Sequence, residues 1–344
     1  MAIGSGISTQ FGGAFESTVG TPVTVTRFYE VDNVTPQHSQ VVKVSNGLRA
    51  GTRGHKQRNR VITGKAPTLQ VPMTVMSKGM GFFFKQMLGS ATIAQIAASA
   101  TWRQIHLPGD NTGLSSTLQG GFAESYTGTV RPYTYNGCKV TDWELACTMD
   151  DLLKLNLTFD AWNWTTSTGL AAASYLTALE EFHFAELTVT IGGTATTSSG
   201  RTTVASGVTL KGVRGVSLKG QNAMRVDRRV AGNAGIKSEQ IINNFMPITG
   251  SLDVEFADRT QLMDIADSGA ATVLVFTWTG TTNDGSGNFP VVRVIHPQAI
   301  IEPSQPQTNG PDIVNGPVNF TAYEDNANSN PMIQIEFESQ DSSV

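Results

Sequence analysis

Two stretches far apart in the chain share one pattern of hydrophobic and polar positions, Leu69–Gly89 and Ile248–Gly269. Each begins with apolar residues at alternate positions, which is the pattern of a strand with one buried face. Each then changes to the spacing of a helix with one apolar face. The alternating residues are Leu69, Val71, Met73 and Val75 in the first stretch and Leu252, Val254 and Phe256 in the second. The helical ones are Met80, Phe83, Phe84, Met87 and Leu88, and then Leu262, Ile265 and Ala266.

Residues suited to helix ends flank both helical patterns. Ser77 and Asp258 stand where N-caps are expected, and Gly89 and Gly269 stand where glycine ends a helix. A basic segment, the strand–helix unit and further strand patterns follow one another in the same order in both halves. We therefore interpret the chain as a tandem duplication. The predicted fold is mainly β (α+β), a pair of β-sandwich or barrel domains with one flanking helix each.

Composition changes suggest where the two copies begin and end. Residues 1–20 are small and glycine-rich and are predicted to form an N-terminal arm. The first copy is assigned to residues 21–165 and the second to residues 186–344. Small residues in the stretch TTSTGLAAASYLTA favour a linker over residues 166–185.

The clearest hairpin lies between Cys138 and Trp164, where apolar residues occupy odd positions on both predicted strands. These residues are Trp143, Leu145, Cys147 and Met149, and then Leu153, Leu155, Leu157, Phe159 and Ala161. The returning strand places Lys154, Asn156, Thr158 and Asp160 on the opposite face. Asp150 and Asp151 fit the turn between the strands. The hairpin is therefore expected to cover a core with one face and to leave the other face polar.

Charge and cysteine content narrow the class of protein. The formal net charge is −4 and charged residues make up 15% of the chain, so no strong overall field attracts nucleic acid or an acidic membrane. No apolar run reaches the roughly 20 residues that span a bilayer, and MAIGSGISTQFGG lacks the features of a secretory signal. We expect a soluble chain made and kept in a cytosol. Cys138 and Cys147 fall too far apart on one predicted strand for a disulfide and are expected to be buried thiols.

The sequence contains no recognisable catalytic or metal-binding pattern. The five histidines are scattered, and the common hydrolase, zinc-protease and nucleotide-binding motifs are absent. Glu324–Asn330 imitates a calcium loop, but the ligand positions are not filled in the required order. We therefore predict that the protein is not an enzyme and has no catalytic residues, no metal and no cofactor.

Two basic segments are the remaining candidates for function. They supply Arg49, Arg53, Lys56, Arg58 and Arg60 in the first half and Arg225, Arg228, Arg229 and Lys237 in the second. Three interpretations stay open: contact with nucleic-acid phosphates, a solvated hairpin tip, or an ionic contact with an acidic surface of a neighbouring subunit. That acidic surface would carry Asp253, Glu255, Asp258, Asp264 and Asp267. Because a basic segment occurs at the same place in both halves, the ionic contact with a neighbouring subunit is favoured.

Four stretches together carry a family resemblance. They are GGAFESTVGTPVTVTRFYEVDN, VTDWELACTMDDLLKLNLTFDAW, GVRGVSLKGQNAMRVDRRVAGNAGIKSE, and FMPITGSLDVEFADRTQLMDI followed by ATVLVFTWTG. With them the chain resembles the tail tube proteins of long-tailed, non-contractile bacteriophages. The resemblance implies sandwich domains whose sheets join between subunits into a barrel lining a central channel, and rings that stack helically into a hollow tube for DNA.

The resemblance also implies partners and a location. A tandem chain would form homotrimeric, pseudo-hexameric rings, with a homohexamer as the alternative if the second half is a decoration. Lys154, Asn156, Thr158 and Asp160 would face the channel, and the nine basic residues would contact the next ring. A tape measure protein would occupy the lumen and tail terminator and distal tail proteins the ends. Double-stranded DNA would pass without specific binding, and no membrane would be involved. The protein would be assembled in the cytoplasm of the bacterial host and reside in the virion.

Two other classes of protein remain as alternatives. One is another self-associating virion protein, such as a sheath, connector or decoration protein. The other is an extracellular carbohydrate-binding β-sandwich, in which Trp143, Trp162 and Trp164 would have to form an exposed platform.

Overall fold

The computed structural model describes residues 4–308, 310–327 and 329–344, and most of their regular structure is β. In the first half the strands are β1 (Gln10–Phe15), β2 (Arg27–Tyr29), β3 (Thr35–Val44), β4 (Arg60–Thr74), β5 (Gly89–Gln95), β6 (Trp102–Pro108), β7 (Ser116–Ala123), β8 (Val130–Thr148), β9 (Lys154–Asp160) and β10 (Asn163–Thr165). In the second half they are β11 (Leu187–Ile191), β12 (Thr194–Ser198), β13 (Arg201–Ala205), β14 (Val208–Thr209), β15 (Val213–Gln221), β16 (Met224–Arg225), β17 (Ile241–Ile242), β18 (Ile248–Val254), β19 (Ala271–Thr279), β20 (Val291–Ile301), β21 (Val318–Ala322) and β22 (Gln334–Ser339). Two α-helices occur in the described residues, α1 (Gly81–Leu88) and α2 (Arg259–Ser268). The prediction of a mainly β, sandwich-like fold is confirmed.

One antiparallel sheet runs through both halves of the chain and is called the main sheet below. Its strand order is β3-β4-β9-β8-β15-β18-β21. Leu145 stands opposite Leu155 on one side and Leu218 on the other, so strands from both halves direct apolar residues to the same face. That face lies on the core, and the alternate positions form a continuous polar face.

A facing layer covers the apolar side of the main sheet. Its first part has the order β2-β1-β7-β8-β10 and its second part the order β5-β6-β22-β20-β19-β11-β14. Strands β8 and β20 each belong to both layers, because their two ends pair with different neighbours. The Phe276 and Phe320 rings meet across the layers with centroids 6.0 Å apart. The result is a sandwich with one shared hydrophobic core.

Helix α1 begins later than the sequence predicts. Its N-cap is Met80 rather than Ser77, and Met80 makes no side-chain capping bond. The Ser77 hydroxyl oxygen instead accepts the N–H of Glu180 at 3.0 Å, a contact between segments a hundred residues apart that local sequence rules do not reveal. The predicted end is correct, since Gly89 has φ 95° in the left-handed region that favours glycine.

Helix α2 has both predicted caps. The carboxylate of Asp258 accepts the N–H of Thr260 at 2.9 Å, and Gly269 ends the helix with φ 64°. Leu262 and Ala266 are buried against the core, as the helical spacing predicts.

The strand–helix units of the two halves have matching neighbours. Strand β4 lies between β3 and β9, and β18 lies between β15 and β21. Each helix is followed by a hairpin, β5–β6 after α1 and β19–β20 after α2. This agreement supports the tandem interpretation, while the division into two copies stays a prediction.

The predicted arm and linker take part in the sandwich. Residues 1–3 of the arm lie outside the described residues, but Gln10–Phe15 forms β1, and Phe11 is completely buried. Pairing with β2 and β7 holds these residues in the facing layer, and the extent of the arm stays a prediction. Within residues 166–185, Phe182 is completely buried and its N–H donates to the carbonyl of Val75 at 3.2 Å.

The predicted hairpin between Cys138 and Trp164 is confirmed. Strands β8 and β9 pair across it, and Asp150 occupies the turn with φ 62°. Cys138 and Cys147 are buried free thiols, also as predicted. Burial raises the pKa of Cys138 well above its usual range.

Candidate assembly surfaces

The polar face of the main sheet is continuous from its first strand to its last. The register places these residues on it: Thr35, Gln37, Thr68, Gln70, Thr74, Asn156, Thr158, Lys154, Asp142, Glu144, Ser217, Lys219, Gln221, Thr249, Ser251, Asp253, Asn319 and Thr321. Hydroxyl and amide side chains are in the majority. The charges of both signs are interspersed, so the face has no strong field of one sign.

Three of the four residues predicted to face a channel lie on this face. Lys154 is half-buried, and its ammonium group donates to Asp32 and to the Thr74 hydroxyl, both at 2.9 Å. Asn156 is exposed and Thr158 is half-buried. Alternation in the sequence does not reveal the residues that β8 and β15 add to the same face, among them the ion pair of Lys219 with Glu144 at 3.2 Å. Those strands meet only in the folded chain, so alternation within one strand could not place them together.

The predicted exposure of Asp160 and Lys237 is not found in the structure. Asp160 follows the polar alternation of β9, but only 4% of its side chain is exposed, and Lys237 is 2% exposed. The two side chains form an ion pair with each other. Asp160 is therefore not on an open channel face in this chain, and Lys237 is not free to contact another ring. The alternation predicted the correct side of the strand but not the segment that covers it.

The covering segment is residues 225–240, called the second basic segment below. Gln240 donates to the Asp160 carboxylate at 2.8 Å, and Lys139 binds Glu239 at 2.8 Å. The indole N–H of Trp162 donates to Gln240 at 2.9 Å. Burial raises the pKa of Asp160 and lowers the pKa of Lys139, and the ion pair partners oppose both shifts. This part of the second half is therefore a polar contact buried against the first half.

The first basic segment, residues 45–60, has no such contact. It closes the β3–β4 hairpin, and none of Arg49, Arg53, Lys56, Arg58 and Arg60 makes an ion pair with the described residues. Its aliphatic neighbours are exposed as well, with Leu48 fully accessible and Val61 55% accessible. No Asp or Glu occurs between Asp32 and Asp110, so nothing nearby in the sequence neutralises the segment. An exposed basic and aliphatic hairpin is a feature of a contact surface.

Both basic segments lie at the same end of the main sheet. Arg229 of the second segment donates to the backbone carbonyl of Lys65 in β4 at 2.9 Å. The remaining cations of the second segment are exposed at this end, where Arg225 pairs with Asp227 at 3.1 Å and Arg228 donates to the carbonyl of Glu239 at 3.0 Å. These side chains lie beside Lys65 of β4 and the Lys139–Asp160 pair of β8 and β9, so this end of the β4–β9–β8 pairing is rich in cations.

The predicted acidic surface lies at the opposite end. Asp253 of β18 pairs with Gly215 of β15, and Gly215 pairs with Thr148 of β8. Thr148 is the last residue of β8, at the opposite end of the β8–β9 pairing from Lys139. The nine residue steps from Lys139 to Thr148 span roughly 30 Å. Helix α2 follows and carries Asp258, Asp264 and Asp267, with Arg259 bound to Asp264 at 2.7 Å. The main sheet thus has a basic end and an acidic end.

The main sheet also has an open edge. Strand β3 pairs with β4 on one side and with no described strand on the other. Beside that edge the imidazole ring of His38 stacks on the indole of Trp164 with centroids 4.1 Å apart, and both side chains are half-buried. An unpaired edge next to a half-covered aromatic group is unfavourable for an isolated domain and typical of a surface that another chain covers.

The other sequence-based predictions concern chemistry and membranes. Among the described residues no cluster of His, Cys, Asp and Glu is arranged to hold a metal ion. None of their helices is long and apolar enough to cross a bilayer. Asp150 and Asp151 lie in a tight turn, as expected, and not in a cleft.

A sequence model of one family matches nearly the whole chain. The family is described as phage tail tube protein, and the match covers residues 6–322. The chain belongs to the phage tail tube protein family. No curated protein matches it.

Membership identifies the chain as a structural tail protein and a component of the virion. Members of the tail tube family associate with themselves into a tube and are generally not enzymes. The polar face, the open edge and the oppositely charged ends are the candidate assembly surfaces of this chain.

Proposed function

We propose that this protein forms rings that stack into the hollow tail tube of a long-tailed, non-contractile phage, through which the genome is delivered. The observation that carries the proposal is the main sheet, which joins both halves through β8 and β15 and still has an open edge. Closing such sheets across a ring removes the edges. The tandem arrangement favours three chains for each ring, and the homohexamer remains the alternative.

In this ring the polar face of the main sheet lines the channel. Lys154, Asn156 and Thr158 contribute to the lining together with Lys219 and Glu144. Interspersed charges and many hydroxyl and amide groups suit the passage of double-stranded DNA, because tight phosphate binding needs a cluster of cations. A tape measure protein would occupy the same channel before the DNA, and tail terminator and distal tail proteins would close the tube ends.

Stacking brings the basic end of one ring against the acidic end of the next. Arg49 and Arg53 at the tip of the first basic segment are the strongest candidates, because they are exposed and unpaired among the described residues. Their partners would be Asp264 and Asp267 on α2, which would exchange their present contacts with Arg259 at 2.7 and 3.7 Å for contacts with the next ring. Each exposed pair contributes only about 0–1 kcal/mol, so these contacts would set the direction and register of stacking more than its strength.

Negative-stain electron microscopy of the purified protein tests the proposal. We expect hollow, evenly striated tubes, and their rotational symmetry distinguishes three chains from six. The variant Arg49→Glu/Arg53→Glu should form rings that stack poorly, whereas Lys43→Glu, a reversal on the same hairpin below the tip, should stack normally. A chain that stays monomeric, or that decorates capsids instead, would favour another virion protein.

A further inference from the structure

The contact between the second basic segment and the first half suggests how two chains meet. Residues 225–240 connect β15 to β18, and they cover the end of the β8–β9 hairpin in the same chain. The first basic segment connects β3 to β4, the matching strands of the first half, and its cations form no ion pair with the described residues. Each chain therefore carries one docked segment and one undocked segment.

The acceptor surface has a matching partner as well. In the first half, Lys139 of β8 stands opposite Asp160 of β9 beneath the second basic segment. In the second half, the corresponding strands are β20 and β21, and the N–H of Tyr323 donates to the carbonyl of Gln298 at 2.8 Å at the same position. The surface at this position of the second half is accessible, since 50% of Tyr323 is exposed.

The two registers identify which residues correspond. Leu69 stands opposite Phe159 in the first half, and Ile248 stands opposite Ala322 in the second. Counting back from Leu69 to Arg58 and from Ile248 to Lys237 gives the same separation in sequence. The bonds across the two hairpins, from Ser45 to Asn59 and from Ser238 to Arg228, put Arg58, Asn59 and Arg60 at the same level as the buried Lys237. Counting forward by one residue from Phe159 and Ala322 makes Tyr323 the counterpart of Asp160.

From this correspondence we infer that the base of the first basic segment docks sideways onto the second half of a neighbouring chain in the same ring, with Arg58 against Tyr323 and Glu324. The inference rests on the proposed ring. In this contact the first basic segment covers a neighbouring chain in the same way that the second basic segment covers the first half of its own chain. Because donor and acceptor are different surfaces, the contact is heterologous and closes a ring when the rotation between chains is a whole fraction of a turn.

The charges of the two surfaces support a neighbouring chain as the occupant of this surface. Glu324 is exposed next to Tyr323, and Gln298, the counterpart of Lys139, is uncharged. Arg58 and Arg60 would therefore meet a carboxylate and neutral groups, with no opposing cation. The exposed side chains of Val61 and Ile62 would be covered in the same contact. The longer tip, with Arg49 and Arg53, would extend past this contact toward the next ring.

Disulfide trapping in assembled tubes distinguishes the sideways contact from a contact between rings. The variant Arg58→Cys/Tyr323→Cys should give, on oxidation and non-reducing electrophoresis, a ladder that stops at the number of chains in one ring. Both native thiols are buried, so each single variant should stay monomeric. The matched variant Arg58→Cys/Asp264→Cys probes the acidic end of the next ring and should not form a ladder.

Each result decides between the geometries. A ladder from the Asp264 pair that continues beyond one ring, with none from the Tyr323 pair, would overturn the inference and leave the tube intact. Tubes in which neither pair forms a bond would also overturn it. Absence of rings would refute the proposed function itself, and the sideways contact with it. As a second measurement, Arg58→Glu and Glu324→Arg should each reduce ring formation, and the double variant should restore it.

Discussion

Replacing Lys237 by Met should destabilise the protein more than the loss of any exposed ion pair would. The side chains of Lys237 and Asp160 are 2% and 4% exposed, so the substitution leaves a carboxylate buried without its cation. Breaking a buried pair in this way costs about 3–5 kcal/mol. Gln240 would still donate to Asp160 at 2.8 Å, which places the expected loss near the lower end of that range.

The loss should also depend on pH, with a defined sign. Burial already raises the pKa of Asp160, and Lys237 opposes that rise. Without Lys237 the pKa of Asp160 in the folded state rises further, whereas in the unfolded state it stays near its usual value of about 3.9. The folded variant then holds a proton that the unfolded chain releases. The extra loss is therefore absent below about pH 4 and grows as the pH rises through the folded pKa.

Urea unfolding at a fixed protein concentration between pH 4 and pH 8 measures both effects. Lys219→Met is the control, because Lys219 pairs with Glu144 at 3.2 Å but its side chain is 58% exposed, so its loss should be about 0–1 kcal/mol. The double variant Lys237→Met/Asp160→Asn should recover part of the stability by removing the isolated charge. If Lys237→Met lost no more than the control, or lost the same at every pH, the buried pair would not stabilise the contact between the halves.

Three further substitutions test the local structure. Gly137→Ala should lower the melting temperature more than Gly51→Ala, because both have φ above 60° but only at Gly137 would the new Cβ lie 2.5 Å from the Trp162 ring; equal shifts would contradict this packing. Asp258→Ala should lower the urea midpoint of unfolding through loss of the α2 cap, with Asp258→Asn near wild type. Burial lowers the pKa of His106 to about 3, so folding excludes a proton that the unfolded chain binds below about pH 6.5. Stability should therefore fall as the pH drops from 6.5 toward 4, and the fall should be shallower in His106→Leu.

The sequence predicts those parts of the fold that depend on local rules. The strand and helix periods of the two units are correct, and so are the end of α1 at Gly89 and both caps of α2. Ser77 was wrong as a cap because its hydroxyl binds Glu180, a contact that no local pattern encodes. The pairing of the glycine-rich beginning with β7 is likewise a distant contact that no local pattern encodes.

The candidate surfaces were only partly predictable for the same reason. Alternation placed Thr158 and Asp160 on one face of β9, but Asp160 is covered by a segment more than seventy residues away in sequence. A run of cations shows that a segment is exposed or paired but does not show which. In this chain Arg58 is exposed and Lys237 is buried, although the two segments looked alike in the sequence.

The second basic segment makes a junction within the chain, whereas the first would make a junction between chains, and this difference affects how a ring assembles. A junction within the chain, such as the one from β8 to β15, forms at the high effective concentration of two linked modules. A junction between chains depends on protein concentration. In a ring of three tandem chains only half of the junctions are of the second kind, so such a ring should form at lower concentration than one built from six separate modules. Weakening the internal junction at Lys237 should therefore raise the concentration needed for rings, even though that residue is buried within its own chain.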